Sequence, residues 1–206
     1  MSNTIKETSN IMIVGRKRSG KTVEGLKVAK MKAEHLGVPV YSYMAPNTDH
    51  FKEIFGDAYI GNITDVLTLK RLSHCVVLID EAHKHFSTME RKVNNDLRDV
   101  LGLSTQMGVS LIMITHAFNF LNESLMTAYF DVVLLKELNA DHWDTDRRYA
   151  RMRYSSVKVR GKDELFIHIV NTGEKIYVKS RLPEWWDDKY SFSYANPQRS
   201  IYDDLF

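Results

Sequence analysis

Gly15-Arg16-Lys17-Arg18-Ser19-Gly20-Lys21-Thr22 carries the densest chemistry in this chain. The residues fit G-x-x-x-x-G-K-[ST], the spacing of a phosphate-binding loop, or P-loop. Glycines at these places let backbone N–H groups approach phosphate oxygens, and a helix beginning at the loop adds a favourable dipole. Within that loop, Lys21 is positioned to reach the β- and γ-phosphates of a bound nucleotide such as ATP. The Thr22 hydroxyl is a ligand for Mg²⁺.

A second cluster closes the run Cys75-Val76-Val77-Leu78-Ile79-Asp80-Glu81, an apolar strand that ends in two acids. Asp80 is suited to hold Mg²⁺ through water beside Thr22, and Glu81 to polarise a water for in-line attack on the γ-phosphate. The plainer reading is that both acids cap the following helix. Following a P-loop, the catalytic reading is preferred, and a terminal glutamate favours hydrolysis over phosphoryl transfer to a small molecule. Thr115 and His116 end a later apolar strand, where groups gather beyond strand carboxyl ends, and are expected to sense the γ-phosphate. His83 and His85 follow the acids. As a pair without a defined third ligand they are expected to be structural or surface residues, not metal ligands.

The elements that must position these residues are legible as hydrophobic runs. Ile11–Val14, Val38–Met44, Cys75–Ile79 and Val109–Thr115 have the length and β-branched character of buried parallel strands, and Phe130–Leu135 continues the sheet. Helical segments are expected at Thr22–Leu36, Ile63–Leu72 and about Asn94–Met107, with Gly37 closing the first. Strand–helix alternation implies an α/β fold with a mostly parallel central sheet flanked by helices, and with the P-loop motif the expectation is a P-loop NTPase. After Leu135 the pattern changes. Asp144–Ser156 reads as a charged helix, and Leu165–Val170 with Ile176–Lys179 as a hairpin turning at Asn171-Thr172-Gly173. The expected organisation is one domain over residues 1–206, with 140–206 a C-terminal extension that adds its hairpin to the sheet or packs on it.

Bulk properties bound the partners. Over 206 residues the apolar content is 44% and the charged content 26%, ordinary for a globular protein, and the net charge is +2. Cys75 is the single cysteine, which excludes an intrachain disulfide and suits a reducing compartment. No apolar run approaches the roughly 18–20 residues that span a bilayer, and Met1–Asn10 lacks the apolar core of a secretory signal. The expectation is a soluble intracellular protein with no direct membrane span. Basic residues crowd locally, however: Arg147, Arg148, Arg151, Arg153, Lys158, Arg160 and Lys162 form a run without an intervening acid, with Tyr149 and Tyr154 among them. Such a cluster suits phosphate neutralisation on double-stranded DNA without base reading; a solvated helix face or a subunit contact is the alternative. Trp185-Trp186 is read as an anchor for the terminal segment.

Asp80-Glu81-Ala82-His83 also spells the signature of DEAH-box helicases, but those carry two such folds in tandem with further motifs, and the match is superficial. A broader resemblance covers most of the chain. The loop GRKRSGKT, the strand CVVLIDEAH, the segment NNDLRDVLGLSTQMGVSLIMITH and the later FDVVLLKE, in that order, resemble the FtsK–HerA superfamily of DNA-pumping ATPases. Small size and the lack of added domains are similar to the genome-packaging ATPases of membrane-containing double-jelly-roll viruses, those of turreted icosahedral archaeal viruses above all. The resemblance implies a homo-oligomeric ring, a hexamer or pentamer, that threads double-stranded DNA into a preformed capsid. It implies contact with capsid-vertex or membrane-associated virion proteins, in the host cytoplasm during assembly or retained in the virion. It also implies an arginine reaching into the neighbouring site, for which Arg91, Arg98, Arg147 and Arg148 are candidates and Arg98 is preferred. Many relatives have glutamine where this chain has His116. Two other readings compete: a thymidine-type nucleoside kinase, whose usual four-cysteine zinc site Cys75 alone cannot supply, and a nucleotide-gated assembly switch.

Overall fold

The computed structural model describes residues 7–86, 91–118, 129–138, 148–187 and 190, leaving aside the side chains of 91–94, 148 and 149. Among these residues the chain builds an eight-stranded sheet in the order β3-β2-β4-β5-β1-β6-β7-β8. Its strands are β1 (Ile11–Gly15), β2 (Val40–Tyr43), β3 (Tyr59–Ile63), β4 (Cys75–Ile79), β5 (Val109–Thr115), β6 (Val132–Lys136), β7 (Glu164–Ile169) and β8 (Glu174–Lys179). The helices are α1 (Lys21–Leu36), α2 (Asp49–Phe55), α3 (Val66–Leu69), α4 (Ala82–His85), α5 (Arg91–Leu103) and α6 (Arg148–Tyr154).

All pairings from β3 through β6 are parallel, and β6–β7 and β7–β8 are antiparallel. Every residue of β1, β4, β5 and β6 is buried, as unbroken apolar runs require when both sheet faces are covered. Alternate side chains feed two cores. Met12, Val14, Val77, Ile79, Leu111 and Met113 meet Leu97, Val100 and Leu101 of α5 on one face. Ile11, Ile13, Val76, Leu78, Ile112 and Ile114 meet Leu26, Ala29 and Ala33 of α1 on the other.

The helix α1 ends where the sequence indicates. Gly37 adopts φ 65°, and its N–H caps the Ala33 carbonyl. The helix expected over about Asn94–Met107 is α5, which runs from Arg91 to Leu103, and another expected helix changes more. The helix read across Ile63–Leu72 shrinks to α3, because Ile63 completes β3 and Asp65 caps the helix, its carboxylate accepting from the Thr68 amide at 2.8 Å. The hydrophobic runs give no sign of β3 or α2. The expected charged helix is seen as α6; residues 144–147 lie outside the described residues. The hairpin β7–β8 continues the sheet beyond β6, with Ile167 opposite Ile176. Trp185 and Trp186 pack against the α1-side core, and Tyr190 reaches back to donate to Glu53 at 3.0 Å, consistent with an anchored segment. Among the described residues no helix is long and apolar enough to cross a membrane.

Candidate active site

The carboxyl ends of β1, β4, β5 and β6 bring the loop, the two acids, His116 and a lysine to one end of the sheet. Between β1 and α1 the chain turns tightly, the Ser19 amide donating to the Arg16 carbonyl at 3.3 Å. Two glycines are required. A Cβ on Gly15 would fall 2.2 Å from the Lys136 carbonyl oxygen, and Gly20 caps α1 in the left-handed region at φ 87°. Arg16, Lys17 and Arg18 are exposed, and Arg16 pairs with Glu137. Ser19 is buried, and its hydroxyl has no hydrogen-bond partner among the described residues. An orphaned hydroxyl, a buried ammonium and the open amides of a helix start make a donor set that fits a phosphate chain.

Lys21 is buried. Its Nζ donates to the Arg16 carbonyl at 2.7 Å and lies 3.1 Å from Nδ1 of His116. Burial lowers its pKa to about 8, against the opposing charges of Asp80 and Glu81, so at neutral pH it remains an ammonium. Thr22 Oγ1 donates to Asp80 Oδ2 at 2.8 Å, which joins the two proposed Mg²⁺ ligands directly. A hydroxyl paired with a buried carboxylate is an all-oxygen donor set, the chemistry a hard divalent cation takes. Burial drives Asp80 up to about 6, although the Thr22 hydrogen bond and Lys21 work the other way.

Glu81 occupies the left-handed region at φ 50°, ψ 39°, a conformation costly for a residue with a side chain. Its carboxylate meets His116 Nε2 at 3.2 Å and His83 Nε2 at 3.4 Å. Burial would raise its pKa, but the His116 hydrogen bond and the electrostatic pull of His116, Lys84 and His83 outweigh that and hold it at about 2.

The structure thus gathers Lys21, Thr22, Asp80, Glu81 and His116. Thr115 is buried, and its hydroxyl donates to the Ala117 carbonyl at 3.2 Å, closing the turn; of the two expected sensor residues, His116 faces the other groups. His83, expected to be a structural or surface residue, shares the Glu81 carboxylate with His116. Arg98 is exposed on α5, in a groove with Lys70, Asp99, Met107 and Tyr129, the last two just ahead of β5 and β6. Arg147 and the side chains of Arg91 and Arg148 lie outside the described residues. Of the basic segment, Arg151, Lys158, Arg160 and Lys162 are exposed and Arg153 is half-buried. Tyr154 is core: it stacks on Phe118 at 5.5 Å and its hydroxyl shares a 2.7 Å hydrogen bond with His168 Nδ1.

One group escapes sequence reasoning. Lys136, opposite Gly15 in register, is buried; its Nζ donates to the Lys162 carbonyl and lies 3.6 Å from Glu24 Oε1 of α1. Glu24 is also held by Lys27 at 3.2 Å and by the Ser180 hydroxyl. The available signal is a charged pair, Lys136-Glu137, at the end of an apolar strand, the same pattern that singles out Asp80-Glu81.

The geometry agrees with what the chain is similar to. The sequence profile of the ATPase family associated with various cellular activities (AAA) matches residues 11–138. No curated protein matches the sequence. Among solved structures, the DNA-packaging ATPase B204 from Sulfolobus turreted icosahedral virus is 17% identical, with TM-score 0.63 over 85% of this chain and 99% of that one. The genome packaging NTPase B204 from Sulfolobus turreted icosahedral virus 2, in complex with AMPPCP, is 18% identical, with TM-score 0.67 over 85% and 98%. The pCW3 conjugation coupling protein TcpA with ATPγS is 13% identical, with TM-score 0.62 over 90% of this chain and 63% of that one. At these identities the likeness is one of fold, and it is the P-loop ATPase fold the sequence implied. With the profile spanning more than half of its length, this chain belongs to the AAA family of ATPases.

Proposed function

We propose that this chain is an ATP-hydrolysing motor that moves double-stranded viral DNA into a preformed capsid, working as a homo-oligomeric ring in the host cytoplasm. The observation that carries the hydrolytic part is the direct Thr22–Asp80 hydrogen bond with an ionised Glu81 beside it. The cargo is supported by fold likeness to packaging ATPases and by the exposed cations Arg151, Lys158, Arg160 and Lys162.

Thr22 and Asp80 would hold Mg²⁺, which when bound supplies neutralising charge to the phosphate oxygens. Lys21, parked on the Arg16 carbonyl and His116, has a stronger partner in a phosphate and exchanges them for it. Ser19 Oγ and the first amides of α1 bind and orient the phosphates. A carboxylate held at about 2 is too weak a base to remove a proton early; Glu81 orients the attacking water through its oxygens and accepts the proton late, as a loose transition state permits. His116, hydrogen-bonded to both Glu81 and Lys21, ties the water-orienting group to the phosphate-binding one. Arg98 is exposed, as an arginine serving a neighbouring subunit must be.

Phosphate release from ATP with Mg²⁺, with and without long double-stranded DNA and with Lys21→Ala as the blank, tests the reading. Release that rises with DNA and disappears in the variant supports a motor. Release indifferent to DNA points to an assembly switch, and phosphate transferred to an added nucleoside points to a kinase.

A further inference from the structure

His83 is the residue that the hydrolytic scheme leaves without a task. It sits on α4 two residues after Glu81, and its ring lies 5.0 Å from that of His116, which arrives from the end of β5. The two Nε2 atoms approach the same carboxylate, His116 at 3.2 Å from Oε1 and His83 at 3.4 Å from Oε2. One ligand atom from each of Glu81, His83 and His116 falls within 4.8 Å of the others. A tetrahedral ion with bonds of about 2.1 Å holds its ligand atoms about 3.4 Å apart; each imidazole already stands near that distance from one of the two carboxylate oxygens, and drawing all three groups onto one ion takes a closure of about an ångström.

We propose that Glu81, His83 and His116 form a second cation site, separate from Thr22 and Asp80, selective for a borderline transition ion such as Zn²⁺. Two imidazoles and one carboxylate are a three-ligand zinc set with a fourth position open to solvent. The donor chemistry discriminates: imidazole nitrogen suits zinc and cobalt, while Mg²⁺ prefers the all-oxygen pair at Thr22 and Asp80. The site is half-buried at each residue, open enough for an ion to enter.

Lys21 gates it. An ammonium can only donate, so at 3.1 Å it takes the lone pair of His116 Nδ1 and leaves the ring proton on Nε2. Metal binding at Nε2 requires the other tautomer, in which the proton moves to Nδ1 and faces Lys21. The ion and the parked lysine are therefore antagonists. Zinc at this site also removes Glu81 from water activation, making the ion an inhibitor of turnover; that corollary rests on the proposed hydrolytic role, whereas binding does not.

Titrating Zn²⁺ calorimetrically into full-length, tag-free protein without nucleotide should show one ion per chain in the micromolar range. Co²⁺ at the same site should give the intense visible bands of low coordination. His83→Gln and His116→Gln, which change two different elements, should each weaken binding at least tenfold, and Lys21→Ala should tighten it several-fold by removing the competing ammonium. Wild-type affinity no better than millimolar, or unchanged affinity in a folded His83→Gln protein, overturns the proposal. Because the readout is metal binding, a chain that fails to hydrolyse ATP counts against the proposed function and leaves the zinc result standing.

Discussion

Lys21 Nζ and His116 Nδ1 stand 3.1 Å apart, joining the P-loop to the carboxyl end of β5, and the same imidazole continues to Glu81 at 3.2 Å. Lys21 and Glu81, the proposed phosphate-binding and water-orienting groups, are therefore two ends of one hydrogen-bonded chain. A ligand that takes Lys21 away removes a donor from His116 Nδ1 and so alters the hydrogen bonding of the imidazole that meets Glu81.

Removing the charge of Glu81 while keeping its shape separates binding from turnover. Glu81→Gln should bind ATP analogues within a few-fold of wild type while phosphate release falls about 10²–10⁴-fold. Paired binding and single-turnover measurements check this, and near-wild-type turnover removes Glu81 from the mechanism.

The pH dependence follows from two burial effects. Asp80, driven up to about 6, must be ionised to hold a cation, and Lys21, lowered to about 8, must be protonated to hold phosphate. The profile of kcat/KM should be a bell with limbs near those values, since it reports groups of the free enzyme. Stability moves differently. Asp80 binds its proton more tightly folded than unfolded, so this group's contribution falls as pH climbs from about 4 to about 6 and is flat above. Thermal melts across that window should lose the slope in Asp80→Asn.

Gly15→Ala tests the packing beneath the loop. The new methyl would meet the Lys136 carbonyl at 2.2 Å and Ser19 Oγ at 2.8 Å, so β1 and β6 must part. A cost of about 1–3 kcal/mol and a drop in nucleotide affinity of tenfold or more are expected, read from melts and analogue binding. Wild-type values for both would mean the loop relaxes freely.

Lys136→Met leaves Glu24 buried with Lys27 and Ser180 but without its second cation. Breaking a buried pair costs about 3 kcal/mol at the low end of such measurements. In a double-mutant cycle with Glu24→Gln the coupling should be about 1 kcal/mol or more, and additivity would make the two residues independent.

If the basic segment touches DNA phosphates, replacing Arg151, Lys158 or Arg160 singly by alanine should lower the salt slope of duplex binding by about 0.9 for each phosphate left without its cation. An unchanged slope assigns these exposed charges to solvent or to a subunit contact.

Much of this site is legible in the sequence because its determinants are short-range. Ile11–Val14 before the loop and Cys75–Ile79 before Asp80 announce themselves as strands by local composition, and the loop by spacing. β3 is not legible: Gly61 and Asn62 argue against a strand. It forms as an edge strand whose polar side chains are paired. Ser42 Oγ contacts Tyr59 OH at 2.7 Å and donates to Asn62 Oδ1 at 3.0 Å, and Asn62 Nδ2 donates to the Ala45 carbonyl at 3.0 Å. The Glu24–Lys136 pair is equally hidden, since it exists only once α1 has folded back over β6, and no short motif encodes that approach. The sequence around His83 gives no hint of the proposed cation site, because His116 comes from the end of β5, more than thirty residues on.

Lys136 couples the two halves of the molecule. Its backbone carbonyl crowds Gly15, and its ammonium holds the carbonyl of Lys162 in the basic segment. A buried ammonium cannot surrender an acceptor without finding a replacement. The nucleotide loop and the basic segment thus meet at one residue of the sheet, whose backbone packs beneath the first and whose side chain holds the second.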